Sequence, residues 1–164
     1  MAGLTGDRRE PGHQYEWAWL LGREASFSGD QSSWVTGRRM VRFAESFGRA
    51  PCGILEGAAY DAVFPDGRVM DGSFLLWPQT EAIKVYAMRH MAGDAGAGEQ
   101  ARGLLCAMFR HWFADHAVWV NRLDKTGAVV WPEALTRLFY HVLLALTEGA
   151  RAGLWPGFTG FPDA

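Results

Sequence analysis

Twice in this chain a pair of helix-patterned segments is followed by a short β-prone stretch with a turn at its centre, and the two stretches lie about 60 residues apart. The first spans 59–70 and turns at Asp66-Gly67, between flanks rich in Val, Phe and Tyr; the second spans 118–130 and turns within Asp124-Lys125-Thr126-Gly127. Asp and Gly between β-prone flanks are hairpin chemistry, because glycine reaches the left-handed backbone conformation that a tight turn demands. A unit of helix pair plus hairpin cannot bury its apolar face alone, so a period of this size predicts stacked supersecondary repeats, of which about two and a half are present.

The apolar periodicity predicts helices over roughly 13–27, 33–48, 78–92, 97–115 and 134–150. Pro11-Gly12 precedes the first, and Pro78 falls in the first turn of the third, where a missing N–H leaves no bond unmade. With 164 residues, 49% of them hydrophobic, the chain can build one core, so 1–164 is expected to be a single domain. Its end, 154–164, is rich in Pro and Gly and is expected to be an irregular tail.

Charge narrows the partners. A net charge of −2 with dispersed Lys and Arg offers no footprint for a phosphate backbone or an anionic bilayer, so neither nucleic acid nor membrane is expected. The amino terminus lacks a signal-like apolar region and no later run is long enough to span a bilayer, which makes the expected location cytoplasmic. Cys52 and Cys106 stand in no Cys-x-x-Cys or Cys/His pattern, and His111 and His116 are five apart, so no metal is expected. The eight Trp suit either an aromatic core or a cavity that faces carbohydrate.

Three segments hold polar groups at helix positions that suit chemistry. In Pro11-Gly12-His13-Gln14-Tyr15-Glu16-Trp17, His13 and Glu16 are three apart on one helix face with Trp17 beside them. A carboxylate beside an imidazole fixes its tautomer, as a proton-transferring His requires; the same pair also serves as a solvated helix start. In Trp77-Pro78-Gln79-Thr80-Glu81 a helix N-terminus gathers polar side chains, which suits a ligand and suits ordinary helix initiation equally. In the third, Arg137 and His141 stand one turn apart on an otherwise apolar helix, where a lone His is commonly a core or rim residue.

Together and in this order, the three segments resemble the C-terminal motifs of the N-acylglucosamine 2-epimerase/mannose isomerase family. The matching elements are Pro-Gly-His-x-x-Glu-Trp-Ala at a helix start, Trp-Pro-Gln-Thr-Glu, and a late Tyr-His helix, spread from Pro11 to about Glu148. The resemblance implies an all-α fold with short β-hairpins: the C-terminal half of an (α/α)6 barrel, an incomplete toroid whose amino-terminal half is expected to be missing. It also implies that His13 and His141 are the acid/base pair, that Glu16 orients His13, and that Trp17, Trp77, Gln79 and Glu81 belong to the sugar site. Arg137 matches no fixed family position, and a hydroxyl- or phosphate-binding role for it is an expectation of this chain alone.

The implied activity is isomerisation or 2-epimerisation of a mannose, mannose 6-phosphate or N-acylhexosamine type of sugar, by metal-independent proton transfer at C2 and without a cofactor. The alternative is a non-catalytic half-barrel that binds sugar or another subunit. Half a barrel exposes the seam where further helices pack, so a homodimer or an amino-terminal half-barrel is the expected partner beside the sugar.

Overall fold

The computed structural model of the protein describes residues 6–114 and 116–154. Helix α1 (Pro11–Ser28) begins with Pro at its first position and ends at Gly29, whose φ of 78° is the left-handed conformation that lets its N–H close on the Ala25 carbonyl at 3.0 Å. Helix α2 (Ser32–Phe47) runs back beside it. Then come strands β1 (Ala62–Val63), β2 (Val69–Asp71) and β3 (Phe74–Leu75), helix α3 (Leu76–Met91) and helix α4 (Ala95–Ala107). Strands β4 (Arg122–Leu123) and β5 (Val129–Trp131) lead through a 3₁₀ turn, Thr136–Leu138, into helix α5 (Phe139–Arg151).

The helices form two layers. α1, α3 and α5 stand side by side with α3 in the middle, while α2 backs α1 and α4 backs α3. Position in the row decides burial: α3 is buried at every residue from Pro78 to Ala87, including Gln79, Thr80, Glu81 and Lys84. A helix buried on all sides has packing partners all round, and its polar residues must find their partners inside the protein. The two outer members of the row keep apolar residues in solvent, Trp17, Leu20 and Phe27 on α1 and Phe139, Tyr140 and Leu143 on α5.

Both expected hairpins form, and they repeat one another in detail. In the first, Phe64 N–H donates to the Arg68 carbonyl at 2.8 Å and Gly67 N–H to Phe64 at 3.0 Å; in the second, Asp124 donates to Ala128 at 2.9 Å and Gly127 to Asp124 at 3.0 Å. Gly67 and Gly127, 127 − 67 = 60 positions apart, take φ of 88° and 82°. β3 was absent from the sequence-based reading. It pairs with β4, Phe74 opposite Leu123 and Leu75 opposite Arg122, so the second sheet runs β3-β4-β5. The same latch occurs one repeat earlier, where Arg9 and Val63 exchange both backbone hydrogen bonds at 2.9 and 2.8 Å. In each repeat, therefore, the segment entering an inner helix is tied to the hairpin that follows.

Helix boundaries agree with the apolar periodicity except in two places. The expected fourth helix, 97–115, is α-helical only to Ala107 and continues as one π turn, Met108–Phe113, ended by Ala114 at φ 36°. Periodicity alone does not separate i→i−4 from i→i−5 bonding, and the wider turn buries Trp112 fully while stacking Phe109 on Phe113 with 5.0 Å between ring centroids. The fifth begins as the 3₁₀ turn rather than at 134. The tail from 155 onward lies outside the described residues. Among the described residues, no helix is long and apolar enough to cross a membrane.

Candidate active site

Three inner helices start at one rim of the fold, and each brings a ring to it. His13 is the third residue of α1, Trp77 the second of α3 and His141 the third of α5. The ring centroid of Trp77 lies 4.9 Å from that of His13 and 5.9 Å from that of His141. Gly12 makes the close approach feasible, because a Cβ there would run into the Trp77 indole. The residues before these helices, Glu10, Leu75 and Leu138, supply no side-chain cap, so the positive ends of three helix dipoles face the same opening.

That opening is a cleft of about 460 Å³, walled by His13, His141, Trp77, Tyr140, Glu16, Glu10, Arg8, Asp61, Arg137, Leu75 and Leu138. A cavity of about 420 Å³ at the other end of α1 and α3, around Trp34, Arg38, Arg42 and Arg89, contains no imidazole. The candidate chemistry sits in the first.

His141 is fixed from behind. Its Nδ1 lies 2.6 Å from Glu81 Oε1, and the second oxygen of Glu81 lies 2.6 Å from Lys84 Nζ, with both Glu81 and Lys84 almost wholly buried. The ammonium also sits 4.3 Å from the centre of the Trp19 ring. A carboxylate held against an ammonium accepts rather than donates, an arrangement that favours the His141 proton on Nδ1 and turns Nε2 away from Glu81. Tyr140 stacks on His141 at 4.0 Å, and burial, with the Glu16 and Glu81 carboxylates, pushes its phenol above the usual range, keeping it a neutral O–H donor.

His13 is about half exposed, and its Nδ1 meets the Glu10 carboxylate, whereas Glu16 Oε2 is 4.0 Å from Nε2. Glu16, expected to orient His13, is the more distant of its two carboxylates: the close partner is Glu10, three residues before His13 rather than three after. Glu16 stands on the cleft side. Asp61 closes the floor, bonded to Arg8 at 2.9 Å and 3.6 Å from Arg122; burial raises its carboxyl above the ordinary range against the pull of those two cations.

Of the other expected sugar-site residues, Trp77 and Arg137 are in the wall, while Trp17, Gln79 and Glu81 are not. Trp17 is 54% exposed on the open face of α1. Gln79 is fully buried with its amide committed to backbone: it accepts from Ala59 N–H at 2.7 Å and donates to the Ala59 and Leu75 carbonyls at 2.9 Å each. It clamps the loop ahead of the first hairpin to α3 and has no donor left for a ligand. Glu81 lies beneath His141 rather than in the cleft. Arg8, Glu10, Asp61, Lys84 and Tyr140 were missed; for Lys84 and Glu10 the available signal was an opposite charge or an imidazole three residues along.

Comparisons with known proteins bear on the family and the fold. The family model described as N-acylglucosamine 2-epimerase (GlcNAc 2-epimerase) matches residues 3–145. A mannose-6-phosphate isomerase of Rhizobium meliloti (strain 1021) is 32% identical over 152 residues, which are 89% of this chain and 38% of that relative. A crystal structure of D-mannose isomerase superposes with a TM-score of 0.74 at 24% identity over 85% of this chain and 36% of its own. Cellobiose 2-epimerase from Spirochaeta thermophila DSM 6192 superposes with a TM-score of 0.78 at 16% identity, over 92% and 40%. The chain thus spans about two fifths of the length of these proteins, and its helices form half of an (α/α)6 barrel.

Proposed function

Because the chain belongs to the N-acylglucosamine 2-epimerase family, we propose that its cleft transfers a proton at C2 of a hexose, as an aldose–ketose isomerase or a 2-epimerase. The observation that carries the reading is the pair of imidazoles on either side of Trp77, each with Nδ1 engaged by a carboxylate. The substrate class is a mannose-like sugar, free, phosphorylated or N-acylated. Arg137, which has no ion-pair partner among the described residues, is the group we assign to a hydroxyl or phosphate of that sugar.

The reaction begins on the open-chain aldose. One imidazole Nε2 takes the C2 hydrogen as a proton; the C–H electron pair becomes the C1=C2 bond, and the carbonyl pair moves onto O1, giving an enediolate. The N-termini of α1 and α3, which carry no side-chain cap, and the Tyr140 hydroxyl favour that developing negative charge. Transfer of the O2 proton to O1, with formation of C2=O and return of the abstracted proton from the imidazolium to C1, yields the ketose. Protonation at C2 from the opposite face by the second histidine, which enters this step as the imidazolium with a proton on Nε2, and return of the O1 electron pair to form C1=O, yields the epimer. The Trp77 indole offers an apolar face against which a sugar ring or chain can lie between the two imidazoles.

The test is solvent exchange at C2, followed by NMR with mannose, mannose 6-phosphate or N-acetylmannosamine in D2O. Turnover is expected to fall about 10²–10⁴-fold in His13→Ala and in His141→Ala, with helicity unchanged. Full exchange in either variant removes that histidine from the mechanism.

A second proposal concerns completeness. The apolar faces of α1 and α5 are solvent-exposed while α3, between them, is covered on both sides. We assign those two faces to neighbouring inner helices of a closed barrel, drawn from a second copy or from further polypeptide, and place the sugar between the two halves.

A further inference from the structure

Glu10 occupies the residue that should cap α1, and it does not cap it. Its backbone is extended, φ −103° and ψ 111°, as an N-cap requires, yet its side chain accepts from no N–H of the first turn. The carboxylate is turned to two other groups: Oε2 meets His13 Nδ1, and Oε1 accepts from Arg8 Nε at 2.7 Å. Arg8 in turn donates through Nη2 to Asp61 Oδ2 at 2.9 Å. Arg122 Nη2 approaches that same Asp61 oxygen at 3.6 Å and Asp71 Oδ2 at 2.6 Å, while its Nε donates to Ser73 Oγ at 2.6 Å.

The charges alternate in sign along a path that crosses three parts of the chain: the entry to α1, the first hairpin and strand β4. Its last member is the imidazole. Resting on the proposed role of His13, we infer that Glu10 is the positioning residue of that histidine, braced by Arg8 against Asp61, and that it holds the His13 proton on Nδ1 so that Nε2 faces the cleft as acceptor. A carboxylate that already has a cation on one oxygen remains an acceptor on the other. Glu16, 4.0 Å from Nε2, is then on the side of the sugar and not part of this brace. The arrangement parallels His141, whose Glu81 is braced by Lys84, with one difference: the His141 brace is buried and local to α3, whereas the His13 brace is half-exposed and assembled from distant segments. The diverted cap is a local rule broken at the place where the site needs the carboxylate.

The experiment reads the tautomer directly. With the full chain labelled with ¹⁵N at histidine and held above the imidazole titration range, long-range ¹H–¹⁵N correlation distinguishes a protonated ring nitrogen from a bare one. The unsubstituted protein should show His13 protonated at Nδ1 and bare at Nε2. Glu10→Ala should move His13 to a mixture or to the Nε2–H form, leave His141 unchanged, and lower kcat for C2 exchange at least about tenfold with KM within about twofold. Arg8→Met, which keeps the carboxylate but removes its brace, should give an intermediate tautomer mixture. Glu10 has no cap to lose, so folding is not at risk from that loss, and the Arg8 variant gives an independent reading. An unchanged His13 tautomer in Glu10→Ala overturns the inference. Full turnover in His13→Ala overturns the catalytic reading instead and leaves the tautomer result to decide the role of Glu10.

Discussion

At the scale of single residues, the site depends on charges that cannot leave one another. Lys84 and Glu81 are 3% and 0% exposed and 2.6 Å apart, with His141 on the other carboxylate oxygen. Removing one member of such a pair strands a charge in a medium that does not solvate it, which destabilises by roughly 3–5 kcal/mol. Lys84→Met is therefore expected to lose about that much in urea unfolding, and Glu81→Gln combined with Lys84→Met should recover part of it; a double-variant loss equal to the sum of the two single losses would show the charges are not coupled. In the sequence only the family resemblance joins His13, Trp77 and His141; the expected helix 134–150 leaves His141 inside a helix, and the α-helical start at Phe139 is what sets it at the rim. Gln79 and Glu81 could not be placed, since a helix buried all round gives a polar residue no sequence mark that tells cleft from core. Glu10 escaped because it precedes the helix, and a search forward from His13 finds Glu16.

At the scale of elements, apolar spacing and turn chemistry mark all five helices and both hairpins, but two features lie below their resolution. β3 is two residues long and owes its pairing to β4, nearly 50 positions later; the π turn owes its width to the packing of Trp112 and the phenylalanines around it. Caps are the opposite case, local and readable. Asp94 caps α4 by accepting from Ala97 N–H at 3.1 Å, and that bond, then the Arg89 hydrogen bond, holds its carboxyl below the usual carboxylate range. A depressed value in the folded state means stabilisation that is present above the unfolded value near 3.8 and is lost as pH falls through the folded one. Asp94→Ala should cost about 1 kcal/mol at neutral pH by urea unfolding. The gap from the unsubstituted protein should close in acid, and a gap that persists at low pH would mean the cap does not depend on ionised Asp94.

At the scale of the molecule, an inner row of three helices is finished in its middle and open at both edges. Trp17, Leu20 and Phe27 along α1 and Phe139 and Leu143 along α5 are too many large apolar groups for water to be their proper neighbour. Light scattering should find the chain above its monomer mass of 18.2 kDa, and Leu20→Glu with Leu143→Glu should return it to monomer with unchanged helicity. A monomer at high concentration without those substitutions would leave the two edges as simple surface. A ribosome makes this polypeptide from its amino end, and the strand contacts set the order in which its parts can settle. Arg9, at the entry to α1, waits for Val63, and Leu75 waits for Arg122, delays of 63 − 9 = 54 and 122 − 75 = 47 residues. At about 5–20 residues per second each wait lasts roughly 2–11 seconds. The strand contacts before His13 and Trp77 thus close only on later-born sequence, and a nascent chain stalled between the hairpins has the partner for Arg9 but not yet the one for Leu75.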